Sequence, residues 1–94
     1  MKLTESQINS CVSALNGWQL AADRHSIWQD FKFTNFRQTM AFVNKVADIA
    51  ETEDHHPDME IGYNHCLIRY STHAIAGLSD KDFICAQRID ALNS

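Results

Sequence analysis

The sequence predicts an α+β fold, a four-stranded antiparallel sheet with three helices packed on one face, in the order α-β-β-α-β-β-α. Two observations lead there. Short runs with alternating apolar and polar residues come in adjacent pairs, Trp18 to Ala21 with Ile27 to Phe33, and Met59 to Tyr63 with Cys66 to Ser71, as antiparallel hairpins require. Around and between them lie segments with apolar residues at helical spacing, each opened by a good capping residue. No repeat, low-complexity stretch or linker divides the 94 residues, so a single domain over 1–94 is expected.

The first helix opens on Thr4-Glu5-Ser6-Gln7, a capping box in which Thr4 accepts from the Gln7 N–H and the Gln7 side chain reaches back. Ile8, Cys11, Val12 and Leu15 form its apolar face, and Gly17 ends it. The polar segment Ala22 to Ser26 joins the first two strands. In the second of these, Ile27, Phe31 and Phe33 face a core while Asp30 and Lys32 face out. Asn35 caps the longest helix, which runs to about Glu53. On it, Phe36, Met40, Val43, Ala47 and Ala50 make one stripe, widened by Phe42, Val46 and Ile49. That arc exceeds what one sheet-facing side needs, which points to a second subunit. Tyr63-Asn64 is the turn of the second hairpin, and Ser79-Asp80-Lys81-Asp82 caps a last helix bearing Cys85, Ala86, Ile89 and Leu92.

Composition narrows the function classes. Apolar residues make up 45 % and the net charge is −4 with no basic stripe, a globular composition that argues against direct nucleic-acid binding. No stretch is long and apolar enough to span a bilayer, and Met1 to Gln7 lacks a signal-peptide core, so a cytoplasmic protein is expected. The cysteines Cys11, Cys66 and Cys85 show no CxxC spacing and read as reduced, structural thiols.

Four of the five histidines fall between residues 55 and 73. If Tyr63-Asn64 is a two-residue turn, Gly62 faces His65, and counting outward sets His56 opposite Ser71 and His55 opposite Thr72. His55-His56 and Ser71-Thr72-His73 then converge at the open end of the hairpin, and His65 is left at the turn end. Imidazoles titrate near neutrality and suit paired proton donor and acceptor roles. Glu51, Asp54 and Asp58 can tune them, Pro57 holds His56 in an extended backbone, and Trp18 can wall an aromatic ligand. Adjacent residues on an extended segment point to opposite sides, so His55 and His56 are poorly placed to share an ion and no metal site is expected.

The pattern Glu51-x-x-x-His55-His56-Pro57, then Tyr63, His73 and Asp82, resembles the pterin-4a-carbinolamine dehydratases over nearly the whole chain. Asp54, Tyr63-Asn64, Ser71-Thr72-His73 with Ala76-Gly77-Leu78-Ser79, and Gly17-Trp18 strengthen the likeness. The resemblance implies dehydration of a 4a-hydroxytetrahydropterin to the quinonoid dihydropterin, recycling the cofactor of aromatic amino-acid hydroxylases without a metal or cofactor of its own. It implies that His55, His56 and His73 are catalytic. Pro57, Ser71, Thr72, Ala74 and Ile75 would line the pterin, and Asp54, Asp82, Glu51 and Trp18 would support it. It also implies a homodimer or homotetramer and, as an alternative, a non-catalytic binding or dimerisation module acting as a transcriptional or assembly cofactor, the animal members binding a transcription factor. One departure concerns the substrate site: Ala74 and Ile75 stand where the family often has an acid and a cysteine.

Overall fold

The computed structural model describes residues 2–92. The domain expected over 1–94 extends outside the described residues by Met1, Asn93 and Ser94. The elements are α1 (Glu5–Ala14), β1 (Gln19–Leu20), β2 (Ile27–Lys32), α2 (Phe36–Glu53), β3 (Asp58–Ile61), β4 (His65–Tyr70), a 3₁₀ turn (His73–Ile75) and α3 (Asp80–Ala91). The strands form one antiparallel sheet in the order β1-β2-β4-β3, which is the predicted α+β architecture.

Ile27 and Phe31 of β2 lie opposite Tyr70 and Cys66 of β4, so their side chains share one face. That face packs on Ile8 of α1, on Phe42, Val43 and Val46 of α2, and on Phe83, Cys85, Ala86 and Ile89 of α3 in one buried cluster. The opposite face carries Trp28, Asp30, Leu67 and Arg69, all half-buried. Burial pushes the Cys66 thiol up to about 11, in keeping with an inert core cysteine.

Three sequence expectations shift in detail. The first strand shrinks to Gln19–Leu20, and α1 stops at Ala14 ahead of Gly17, which takes φ 83 in the following turn. The third strand, expected through Tyr63, stops at Ile61, and both residues are exposed, at 44 % and 66 %, because β3 is an edge strand and Tyr63 sits in the turn. On α2 the buried stripe is Thr39, Phe42, Val43, Val46 and Ala50, not one through Phe36 and Ala47. The Thr39 hydroxyl makes this possible. Its Oγ1 lies 2.9 Å from the Asn35 carbonyl and 3.0 Å from the Tyr63 carbonyl, so a polar residue enters the core with its hydrogen bond made.

Candidate active site

The predicted register of the second hairpin is the observed one. Gly62 N–H donates to the His65 carbonyl at 2.9 Å, and the ladder runs from Ile61↔Cys66 to Asp58↔Arg69. The strand ladder stops there, and other contacts bring the two open ends together.

α2 ends on Asp54, a left-handed residue with φ 51, and His55 N–H closes back onto the Ala50 carbonyl at 3.0 Å. This helix stop turns the chain so that the His55 ring enters the core. Asp54 therefore acts through its backbone, and its side chain is exposed. The next helix supplies the partner. Lys81 Nζ donates to the Glu53 carbonyl at 2.7 Å and Arg88 pairs with the Glu53 carboxylate at 2.7 Å, docking α3 against the end of α2. Asp82, in the first turn of α3, is fully buried.

Asp82 is the hub. Its Oδ1 lies 2.6 Å from His55 Nε2, and its Oδ2 accepts from the Thr72 hydroxyl at 2.8 Å and from the Ser79 N–H at 3.0 Å. The Ser79 and Thr72 hydroxyls are also 2.7 Å apart; with Thr72 donating to Asp82, Ser79 donates to Thr72. Both oxygens of the Asp82 carboxyl group are thus engaged. Thr72 and Gly77 pair to close a short loop, with Thr72 N–H on the Gly77 carbonyl at 2.8 Å, and the exposed His73 opens the 3₁₀ turn within it. Ser71 and Ile75 are half-buried in this segment, and Ala74 is exposed.

His56 lies on the other side of the extended segment, with Nε2 2.5 Å from Glu51 Oε2, and both side chains are largely exposed. Adjacent histidines thus reach different carboxylates, as the alternation of an extended chain demands. Pro57 is half-buried beside them. The structure places Trp18 elsewhere. Its indole N–H donates to Asp90 Oδ1 at 2.9 Å and its ring packs edge-on against Phe31 at 5.9 Å. Asp90 lies about 12 Å along α3 from Asp82 at helical rise, so Trp18 is a core residue at the far end of that helix. His65, the expected bystander, pairs with Asp30 at 3.0 Å at the turn end of the hairpin.

Sequence reasoning missed Tyr70. The ring is fully buried and stacks on the His55 ring at 5.3 Å with 13° between planes. Its hydroxyl donates to the His55 carbonyl at 3.2 Å, with the Cys85 thiol at 4.0 Å from the same oxygen. Burial pushes the Tyr70 phenol far up, so it stays a donor. The signal was present in the register, which sets residue 70 at the last core-facing position of β4 before the histidine-bearing end.

The family profile described as Pterin 4 alpha carbinolamine dehydratase matches residues 1–92. This chain belongs to that family. Among similar relatives provisionally named pterin-4-alpha-carbinolamine dehydratases, one from Nitrosomonas eutropha is 59 % identical over 76 residues, covering 81 % of this chain and 66 % of the relative. Another from Nitrosospira multiformis is 50 % identical over 90 residues, covering 96 % of this chain and 78 % of the relative. A crystal structure described as a transcriptional coactivator/pterin dehydratase from Brucella melitensis matches with a TM-score of 0.95 at 34 % identity, over 100 % of both chains. A pterin dehydratase-like protein described as a RuBisCO assembly factor of the alpha-carboxysome shares the fold, with a TM-score of 0.70 at 23 % identity over 82 % of this chain and 89 % of the other. The pterin 4 alpha carbinolamine dehydratase family thus includes chains close to this one in both sequence and fold. No helix among the described residues is long and apolar enough to cross a membrane.

Proposed function

We propose that this chain dehydrates a 4a-hydroxytetrahydropterin to the quinonoid dihydropterin by histidine acid–base catalysis. The observation that carries this reading is the Asp82 hub, which ties His55 to Thr72, the residue preceding His73. The reaction breaks the C4a–O bond and the N5–H bond and forms a C4a=N5 double bond. It needs an acid to protonate the departing hydroxyl, which leaves as water, and a base to take the N5 proton. The contact with Asp82 engages His55 Nε2 and leaves Nδ1 as the nitrogen for exchange with the substrate, which suits His55 to the base role. The acid role falls to His56 or His73, both exposed to an entering ligand. Pro57, Ser71, Thr72, Ala74 and Ile75 supply the walls, and Glu51 and Asp82 support the histidines. Family membership and the names of the relatives favour the same substrate class.

Stopped-flow dehydration of the carbinolamine, with the uncatalysed rate subtracted, tests the reading. His56→Ala and His73→Ala are each expected to slow the catalysed reaction by about 10²-fold or more, the usual acid–base contribution. Full activity in both variants refutes the assignment.

A second reading, a binding or dimerisation module, draws on the exposed flank of α2. There Phe36, Arg37, Met40, Ala41 and Asn44 line a shallow cavity of about 560 Å³, with Phe36 48 % exposed. Cover by a further copy of the chain accounts for this flank. Light scattering at micromolar concentration is expected to give a dimer or tetramer, and a monomeric mass refutes cover by a second copy.

A further inference from the structure

We infer that Tyr70 is a positioning residue for His55, its ring fixing the tilt of the imidazole and thereby the direction of the nitrogen left for proton exchange. This deepens the proposed dehydratase reading and rests on it. The Asp82 carboxylate holds only one corner of the imidazole, at Nε2. One hydrogen bond leaves the ring free to rotate about the Nε2–Oδ1 line and to swing on its χ2 torsion, which is a broad, soft coordinate for histidine. The Tyr70 ring removes that freedom. It lies nearly parallel to the imidazole, 13° between planes at 5.3 Å, and is itself fully buried, so it cannot retreat without opening a cavity.

The same residue also holds the backbone beneath the ring. The Tyr70 hydroxyl donates to the His55 carbonyl at 3.2 Å, while the His55 N–H is bound to the Ala50 carbonyl at 3.0 Å. His55 is thus fixed at its amide, its carbonyl, its ring face and one ring nitrogen, and its side chain keeps 13 % exposure. Nδ1 is the one ring nitrogen outside this clamp. A reacting group held in a fixed direction gains rate through orientation and not through affinity, so loss of the stack should register in kcat before KM.

Two variants of the full chain separate the parts of this clamp. Tyr70→Phe keeps the ring and deletes the hydroxyl; Tyr70→Leu keeps an apolar filler and deletes the stack. Stopped-flow dehydration is expected to show kcat reduced about tenfold in Tyr70→Leu with KM held within about twofold, and a smaller loss of kcat, about threefold, in Tyr70→Phe, which keeps the ring and loses the carbonyl anchor. NMR of the His55 ring protons supplies a readout independent of turnover. The Tyr70 ring current should displace them from their unstacked positions in the parent and in Tyr70→Phe, and Tyr70→Leu should abolish the displacement. A parent protein whose His55 protons show no such displacement overturns the inference, whether or not Tyr70→Leu folds. So does a Tyr70→Leu protein that keeps the parental kcat, or a Tyr70→Phe protein that loses activity tenfold while the displacement persists. If the parent itself does not accelerate dehydration, the dehydratase reading fails, and the ring-proton shift still decides whether Tyr70 orients His55.

Discussion

The two ends of the β3–β4 hairpin each hold a histidine against an aspartate, yet they are built differently. At the open end His55 meets Asp82 at 2.6 Å with side chains 13 % and 0 % exposed, and Asp82 accepts two further hydrogen bonds. At the turn end His65 meets Asp30 at 3.0 Å with side chains 36 % and 26 % exposed, and Asp30 is shared with the exposed Lys32. The chemistry of the pair is the same in both. Burial and the number of additional donors separate a rigid, preorganised group from a solvated strap across two strands.

Removing each carboxylate tests that contrast most severely. Asp82→Ala strands the ring N–H of His55, the Thr72 hydroxyl and the Ser79 N–H in the core, and is expected to cost about 3 kcal/mol or more in urea unfolding. Asp30→Ala should cost less than about 1 kcal/mol. Equal losses at the two ends would break the comparison.

A smaller effect of opposite sign is expected at the loop that carries His73. Ala76 sits in the left-handed region at φ 48, where a Cβ clashes and glycine does not. Ala76→Gly should raise stability by up to about 1 kcal/mol, seen as a higher denaturation midpoint with an unchanged slope. No gain would mean that the loop is already relaxed.

The smallest effect is a pH dependence at the turn end. Burial raises the Asp30 carboxyl, but the hydrogen bonds and charges of Lys32 and His65 outweigh it and hold the group below its ordinary 3.8. A lowered folded value stabilises the protein above the unfolded value, near pH 4, and that contribution fades as the pH falls through the folded one. Unfolding of Asp30→Asn and of the parent should therefore differ at pH 6 by less than about 1 kcal/mol and converge toward pH 3. A gap that persists undiminished in acid would mean the carboxylate charge is not what holds the strap.

Local signals made most of the fold readable in advance. The two-residue turn at Tyr63-Asn64 set the hairpin register, and Asn35 with the apolar period bounded α2. Counting along that register points His55 toward the Thr72 segment, although the ladder ends at Asp58↔Arg69 and it is Asp82 that joins the two. What escaped was decided by contacts remote in sequence. Nothing near Trp18 announces that its indole N–H meets Asp90, so a ring read as a ligand wall proved to be core. Asp82 was drawn in by resemblance, and its hub geometry depends on how α3 docks on Glu53. Thr39 is invisible to an apolar-period reading because its side chain is polar, and only the two carbonyls that face its hydroxyl let it enter the core.

The Thr39 contact has a consequence for how this chain can change length. α2 spans 18 residues, about 27 Å at helical rise. It grips the hairpin turn near its start through Thr39 and feeds His55 into the open end beyond its last turn. One inserted residue at Tyr63-Asn64 would slide β4 by about 3.3 Å past β3 and reverse the faces of Tyr70 and Thr72. Insertions and deletions there should be selected against as strictly as substitutions of the histidines. Length drift has freer room in the connection over residues 21–26, which joins β1 and β2 and carries none of the groups that hold His55.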